Sequence, residues 1–175
     1  MSCLHAFHYG HPGIIPSGIR NHFLRPRTPG LEIGSVMVRN LKYVNNSLAP
    51  SFNFTLVTQV TVENTNFFGD FGFENCNGSV WCGSEVVGQM KIPKGRAQAR
   101  AIEKINVPID VSSLRLSDTN KLSSNVSSGL LELNSYVKLS GNVNIINIVK
   151  RRNPELNCFM KLNLTGKAIQ GLKCY

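Results

Sequence analysis

Histidine is the side chain most often used as a general base near neutral pH, so its positions limit the chemistry open to a chain. All four histidines lie near the start, at His5, His8, His11 and His22. The rest of the chain therefore lacks Ser-His and Cys-His nucleophilic pairs and His-ligated metal sites. The spacing from His5 to His11 could chelate Cu or Ni ions weakly, but a tail of mixed composition explains it more simply.

No motif of a common enzyme class accompanies these histidines. The nucleophile elbow Gly-x-Ser-x-Gly, the phosphate-binding Gly-x-x-x-x-Gly-Lys and the dinucleotide fingerprint are all absent. The 10 acidic residues are scattered, and their spacing pairs none of them for acid-base catalysis. We therefore predict a non-catalytic protein with no catalytic residue, no metal site and no cofactor.

Two late cysteines, Cys158 and Cys174, are predicted to form a disulfide. The chain around them alternates apolar and polar residues, and a hairpin turning about Gly166 would place Met160 opposite Leu172 and Cys158 opposite Cys174. Directly opposed residues have Cα atoms about 4.5–5.5 Å apart, a separation that a disulfide spans. A turn shifted by one residue would part the two sulfurs.

The other cysteines carry a weaker signal. Cys76 and Cys82 are offset across a predicted turn at Asn77-Gly78, so they could form a second bridge, but two half-buried thiols explain them better. Cys3 is then the odd cysteine left over.

Basic residues dominate the charge, which is +9 over 175 residues. This balance favours anionic partners such as acidic polysaccharide, phospholipid headgroups or nucleic acid, although a basic surface also serves solubility alone. The surface candidates are Lys94, Arg96, Arg100, Lys150, Arg151 and Arg152. No aromatic residues interleave with them for base stacking, so we expect a protein or an anionic membrane or cell-wall surface as the partner, with nucleic acid disfavoured. Solvated loop tips are the simpler explanation.

Asn-x-Ser/Thr sequons are numerous, and several arise by chance in a chain rich in Asn and Ser. Their acceptors are Asn45, Asn53, Asn77, Asn125 and Asn163. Asn53, Asn125 and Asn163 are the glycosylation candidates for an exported domain, because the pattern places them at outward-facing edges of predicted elements.

Two parts of the chain differ in composition. Residues 1–30 are rich in Gly, Pro and His and predict a flexible tail, whereas residues 31–175 alternate apolar and polar side chains and predict one β-domain. No apolar run approaches the ~20 residues of a membrane helix. The clearest strand covers residues 54–63, and Pro108 must lie at a sheet edge or face solvent.

Turn and helix signals complete the pattern. Asn77-Gly78 predicts a tight hairpin turn, with Gly83 as a candidate bulge in the returning strand. A single helix is predicted over residues 118–128, where Leu122 and Val126 share a face. The fold prediction is mainly β: an antiparallel β-sandwich with one short α-helix and a flexible N-terminal tail.

Seven blocks of sequence after Leu24 carry a family resemblance. They are Arg25-Pro26-Arg27-Thr28-Pro29, Ser35 to Leu41, Val62 to Phe67, Phe71 to Asn75, Ile92 to Arg100, Tyr136 to Val143 and Leu156 to Cys174. In this order they resemble the type 2 late-embryogenesis-abundant domain of plants, in the hydroxyproline-rich-glycoprotein-like branch related to NDR1/HIN1-like proteins.

The resemblance implies a fibronectin-III-like or immunoglobulin-like sandwich, no enzymatic activity, and a role in stress or defence by binding at the cell surface. Family members typically carry one membrane-spanning helix before the Arg25–Pro29 block, which implies the plasma membrane. Residues 1–23 do not resemble such an anchor, so we expect a truncated or alternative first exon. The alternative is a cytoplasmic, soluble protectant against desiccation or osmotic stress, and a basic nucleic-acid-binding β-domain ranks below both.

Overall fold

A computed structural model describes residues 25–45, 49–117 and 120–175. Within these ranges the chain forms strands, one 3-10 turn at Ser113–Arg115 and one helix, α1, at Asn120–Ser127. The strands are β1 Gly30–Val44, β2 Ser51–Asn64, β3 Asp70–Phe73, β4 Cys76–Cys82, β5 Glu85–Ile92, β6 Gly95–Ala97, β7 Ala101–Ser112, β8 Leu130–Lys138, β9 Gly141–Ile145, β10 Ile148–Arg152, β11 Glu155–Asn163 and β12 Ala168–Cys174.

The strands form two sheets in which every neighbouring pair is antiparallel. The larger sheet has eight strands in the order β1-β2-β7-β5-β4-β8-β11-β12, and the smaller has four in the order β10-β9-β3-β6. Their inner faces enclose one continuous apolar core. The mainly-β antiparallel sandwich predicted from the alternating pattern is therefore confirmed.

Four strands of the larger sheet continue directly into the smaller one. β3 runs into β4, β6 follows β5, β9 follows β8 and β10 runs into β11, each across two corner residues. The order β10-β9-β3-β6 therefore matches the order β11-β8-β4-β5 of their continuations. The smaller sheet is one end of a four-stranded ribbon that bends over the core, a device by which sandwiches turn corners.

Neighbouring corners are hydrogen-bonded to each other. The Glu74 amide donates to the Ser140 carbonyl at 3.2 Å, and the Leu139 amide donates to the Pro154 carbonyl at 3.0 Å. The Cys76 thiol also donates to the Glu74 carbonyl at 3.3 Å. The backbone ladder thus continues through the bend, which satisfies polar groups that burial would otherwise penalise.

Side-chain alternation explains why the individual strands form. Along β2 the buried side chains include Phe54, Leu56, Val60 and Val62, and the intervening residues are half-buried or exposed. This is the face predicted from the sequence. Pro108 is exposed and lies on β7 away from the single residue pair that joins β7 to β5, as its missing amide requires.

Helix α1 forms within the predicted range and packs against β8. Leu122 and Val126 are buried, and their spacing of four residues places both on the face that contacts the sheet. The helix is followed by Gly129 with φ +74°, a conformation that glycine adopts at low cost at a helix C-terminus.

The predicted hairpin turn at Asn77-Gly78 is wrong. Both residues lie within β4, where they pair with Lys91 and Met90 of β5. The turn falls instead at Gly83, with φ +62°, which had been expected to be a bulge. Asn-Gly did not form a turn because β3 and β4 form one bent strand, so the reversal had to come after β4.

The predicted pairing of β11 with β12 is correct where the hairpin ends at Cys174. Near the turn, the observed pairing is shifted by one residue from the predicted one. Cys158 opposes Cys174 as predicted, whereas Leu162 opposes Ile169. A bulge between these pairs, at Gly171 with φ +62°, absorbs the extra residue. Without that bulge the register would bring Lys173, not Cys174, opposite Cys158.

Two neighbouring glycines of the smaller sheet give a stability test. A Cβ on Gly141 would lie 2.4 Å from the Gly72 carbonyl oxygen and 2.6 Å from the Phe71 ring, whereas a Cβ on Gly72 would meet no atom within 4 Å. We expect Gly141→Ala to lower the free energy of unfolding by about 1–3 kcal/mol, because the clash forces backbone or ring to move. Gly72→Ala is the control and should change it by less than about 0.5 kcal/mol. Equal unfolding midpoints in urea for the two variants would contradict the ribbon packing.

Candidate binding surface

The outer face of the smaller sheet carries a trough of about 850 Å³. Its floor is a row of residues paired across all four strands: Arg151 opposes Asn142, Asn142 opposes Gly72, and Gly72 opposes Arg96. Gly72 has no side chain, so the row has two long cationic ends and a low centre. Asn144, two residues along β9, lies on the same face and also lines the trough.

Cations outnumber anions around the trough. Lys94, Arg96 and Arg151 line it together with a single carboxylate, Glu74. Arg96 also lies 3.5 Å from Asp70, in a salt bridge whose two side chains are solvent-exposed. Exposed pairs of this kind are weak, so the Arg96 guanidinium remains available to a ligand.

Two lysines of the larger sheet, Lys138 and Lys161, are paired with carboxylates. Lys138 contacts Glu155 at 2.7 Å and Lys161 contacts Glu132 at 3.0 Å. The bond from Lys138 lowers the pKa of Glu155, with a further hydrogen bond from Tyr136. Neither Lys94 nor Arg151 forms a salt bridge with any residue in the described part of the chain. Lys94 and Arg151 therefore bring uncompensated positive charge to the trough.

The six basic candidates separate into distinct locations. Lys94, Arg96 and Arg151 meet at the trough. Lys150 is exposed on β10, and Arg152 donates to the Pro26 carbonyl at 2.7 Å. Arg100 lies at the end of the sandwich with its guanidinium 5.1 Å from the centre of the Phe67 ring. Sequence proximity grouped Lys150, Arg151 and Arg152, but strand alternation points Arg151 alone into the trough.

A buried amide network fixes the end of the sandwich where β1 begins. Asn64 is fully buried and donates to the carbonyls of Gly69 and Ala97, each at 3.0 Å. Its carbonyl oxygen accepts from the Asn66 side chain at 2.8 Å. Asn66 in turn exchanges two hydrogen bonds with the backbone of Arg27. The network thus joins β2, the loop before β3, β6 and residues 25–29 of the predicted tail.

The cysteines behave as predicted. Cys158 and Cys174 form a disulfide. Cys76 and Cys82 are free and lie at opposite ends of β4. Burial raises the pKa of both thiols, which keeps them protonated and poorly nucleophilic at neutral pH. Cys3 and the four histidines lie outside the described residues.

Neither a metal site nor a membrane-spanning helix is found among the described residues. They contain no group of three or more His, Cys, Asp or Glu side chains that could hold a metal ion. No helix among them is long and apolar enough to cross a membrane. The trough, with its cations and amides, is the candidate ligand site.

Comparison with known proteins identifies the family. No family model matches the chain. The late embryogenesis abundant protein At1g64065 of Arabidopsis thaliana is 36% identical over 154 residues, which cover 87% of this chain and 72% of that protein. The chain belongs to the late embryogenesis abundant family.

Solved structures similar to this late embryogenesis abundant protein are distant in sequence. A crystal structure of a protein from Archaeoglobus fulgidus matches at 12% identity and a TM-score of 0.39, covering 71% of this chain and 95% of that one. The solution structure of AT1g01470 from Arabidopsis thaliana matches at 12% identity and a TM-score of 0.43, covering 79% and 84%.

The glycosylation candidates of this family member differ in exposure. Asn53 is exposed on β2, and Asn125 and Asn163 are half-buried. The Asn163 side-chain oxygen Oδ1 accepts a hydrogen bond from the Gly166 amide at 2.7 Å, so this side chain is folded into the turn. Of the three, Asn53 has the freest side chain for an attached sugar.

Three neutral residues of the trough were not predicted from the sequence. Gly72, Asn142 and Asn144 line it, but none was selected from the sequence. A signal was present: Gly72 interrupts two buried phenylalanines, and two asparagines alternate with buried residues along β9. Only the strand pairing shows that these positions are neighbours.

Removing the buried amide of Asn64 should strongly destabilise this late embryogenesis abundant domain. Asn64→Ala leaves the carbonyls of Gly69 and Ala97 without this donor. We expect the free energy of unfolding to fall by about 3 kcal/mol, measured by urea denaturation. Asn106→Ala, at an exposed asparagine of β7, is the matched control and should change it by less than about 0.5 kcal/mol. A similar loss in both variants would rule out the network as a source of stability.

Proposed function

We propose that this chain is a non-catalytic, type 2 late embryogenesis abundant domain, related to NDR1/HIN1-like proteins, that serves plant stress or defence responses. It acts by binding at the cell surface, and the trough of the smaller sheet is its ligand site. The observation that carries the proposal is the row Arg151, Asn142, Gly72 and Arg96, which presents two guanidinium groups and an amide along one open groove.

The chemistry of this row fits an acidic polysaccharide chain of the cell wall. A guanidinium binds a carboxylate through two parallel hydrogen bonds, and an asparagine amide both donates to and accepts from sugar hydroxyls. Arg151 and Arg96 lie on the two edge strands, three strand spacings or about 14 Å apart. That separation suits an extended ligand with repeated carboxylates better than a single small anion.

A nucleic-acid ligand fits the trough less well. Single-stranded nucleic acid binds through aromatic side chains on which bases stack. The aromatic residue that lines the trough is Phe73, and it is 3% exposed because its ring packs towards the core. The trough thus offers phosphate-binding cations but no platform for bases.

Binding to polygalacturonate tests the proposal. The double variant Arg96→Gln with Arg151→Gln should weaken binding at least about tenfold, since each charge-assisted hydrogen bond contributes about 1.5–3 kcal/mol. The control is Arg39→Gln with Lys42→Gln, which removes the same charge from exposed positions on β1. Affinity is measured by calorimetry at constant ionic strength. An equal loss in both variants would mean that net charge alone drives binding, and the trough would be rejected.

Peptide mapping of the protein from plant tissue, without reducing agent, tests the cell-surface location. We expect the linked Cys158–Cys174 peptide, because this disulfide persists in oxidising compartments, together with sugar on Asn53. Free thiols at both cysteines and bare asparagines would reject the cell-surface proposal and favour a soluble intracellular protectant.

A further inference from the structure

Three large apolar side chains are exposed at the end of the sandwich where β1 begins. Phe67 and Phe68 are 41% and 51% exposed in the loop between β2 and β3, and Ile146 is 78% exposed in the turn between β9 and β10. The two loops are adjacent, because Gly69 is packed against Asn144 and Ile145. We call these two loops the loop end.

Exposed arginines lie near the loop that carries Phe67. The Arg100 guanidinium lies over the Phe67 ring at 5.1 Å, and the Arg100 amide donates to the Asn66 carbonyl at 3.1 Å. The backbone of Arg27 is hydrogen-bonded to the Asn66 side chain, and the exposed Arg25 lies two residues before it. Two carboxylates are close: Glu63, opposite the first residue of β1, and Asp70, which is paired with Arg96.

The loop end is held in place before any ligand arrives. Asn64 donates to the Gly69 carbonyl and accepts from the Asn66 amide, so the backbone on both sides of the two phenylalanines is fixed by hydrogen bonds to one buried side chain. Asn147 adopts φ +59°, which makes a tight turn that projects Ile146 outward. Exposed apolar groups on a rigid support cost solvation free energy, and such patches mark interaction sites.

We propose that the loop end docks on the surface of an anionic lipid bilayer. Phenylalanine and isoleucine side chains at protruding tips enter the boundary between headgroups and acyl chains, while surrounding arginines bind lipid phosphates and carboxylates. The apolar atoms sit on two separate tips and form no groove, so they suit a deformable lipid interface better than a folded protein partner, which would require a complementary pocket. This surface is distinct from the trough, and the inference stands whether or not the trough binds polysaccharide. Anionic lipid is concentrated in the cytoplasmic leaflet, so this inference fits the soluble intracellular alternative better than the cell-surface location.

Vesicle co-sedimentation tests the proposal with the full chain. The probes are phosphatidylcholine vesicles with and without about a third of phosphatidylserine. We expect the wild-type protein to bind the anionic vesicles at least about tenfold more tightly than the neutral ones. Phe68→Ser with Ile146→Ser should weaken binding to anionic vesicles at least about tenfold, because it removes the inserted side chains. Arg27→Gln with Arg100→Gln should weaken it similarly.

Matched controls separate the site from general properties of the surface. Leu114→Ser with Met37→Ser removes two exposed apolar side chains elsewhere; Leu114 is 90% exposed just beyond the opposite end of β7. Arg39→Gln with Lys42→Gln removes two exposed charges on β1. Each control should change vesicle binding less than about twofold, and unchanged thermal midpoints would show that all variants fold.

The outcomes distinguish this inference from the proposed polysaccharide site. Loop-end variants should keep polygalacturonate binding. Arg151→Gln alone, the trough substitution that leaves the Arg96–Asp70 salt bridge intact, should keep vesicle binding. The inference is overturned if the wild-type protein binds anionic and neutral vesicles equally. It is also overturned if the apolar control loses as much affinity for anionic vesicles as the loop-end variant, or if the trough variant alone loses that affinity.

Discussion

The fold depends on a backbone ladder that continues around a bend. Four strands pass from the larger sheet to the smaller one through two-residue corners, and the strand order is the same on both sides. Because three of the four corners are hydrogen-bonded in series, through Glu74 to Ser140 and Leu139 to Pro154, backbone pairing continues where the ribbon turns. Hydrophobic burial alone would allow the strands to pair in other ways, whereas this continuity permits only one order.

The bend also explains where the candidate binding surfaces lie. The inner face of the smaller sheet must pack on the core, so Phe71 and Val143 point inward and the alternate residues Gly72 and Asn142 point outward. The outward row becomes the trough. The loops opposite the corners carry no such packing demand, and there Phe67, Phe68 and Ile146 remain exposed.

In the described part of the chain, some buried polar side chains are fully hydrogen-bonded and one is not. Asn64 and Asn66 are nearly inaccessible, and their amides bind each other and the surrounding backbone, so the network specifies how the loop end is arranged. The Ser135 hydroxyl, opposite Cys158 on β8, is buried and has no hydrogen-bond partner among the described residues. Burying this hydroxyl without a partner lowers the stability of the fold locally, and the disulfide and the surrounding core offset that loss.

The sequence by itself determined which residues face the core. Strand and helix periodicities are local, so the buried face of β2 and the face of α1 shared by Leu122 and Val126 followed from pattern alone. The Cys158–Cys174 pair was predicted correctly, but the structure brings the two residues opposite each other only through the bulge at Gly171, which the pattern did not predict. Only the tertiary structure decided which strands are neighbours. Asn77-Gly78 has a strong local preference for a turn, yet it lies in a strand because β3 and β4 are one bent element. Arg96 and Arg151 are brought to one trough by pairings between distant segments, and such non-local contacts leave no periodic signal along the chain.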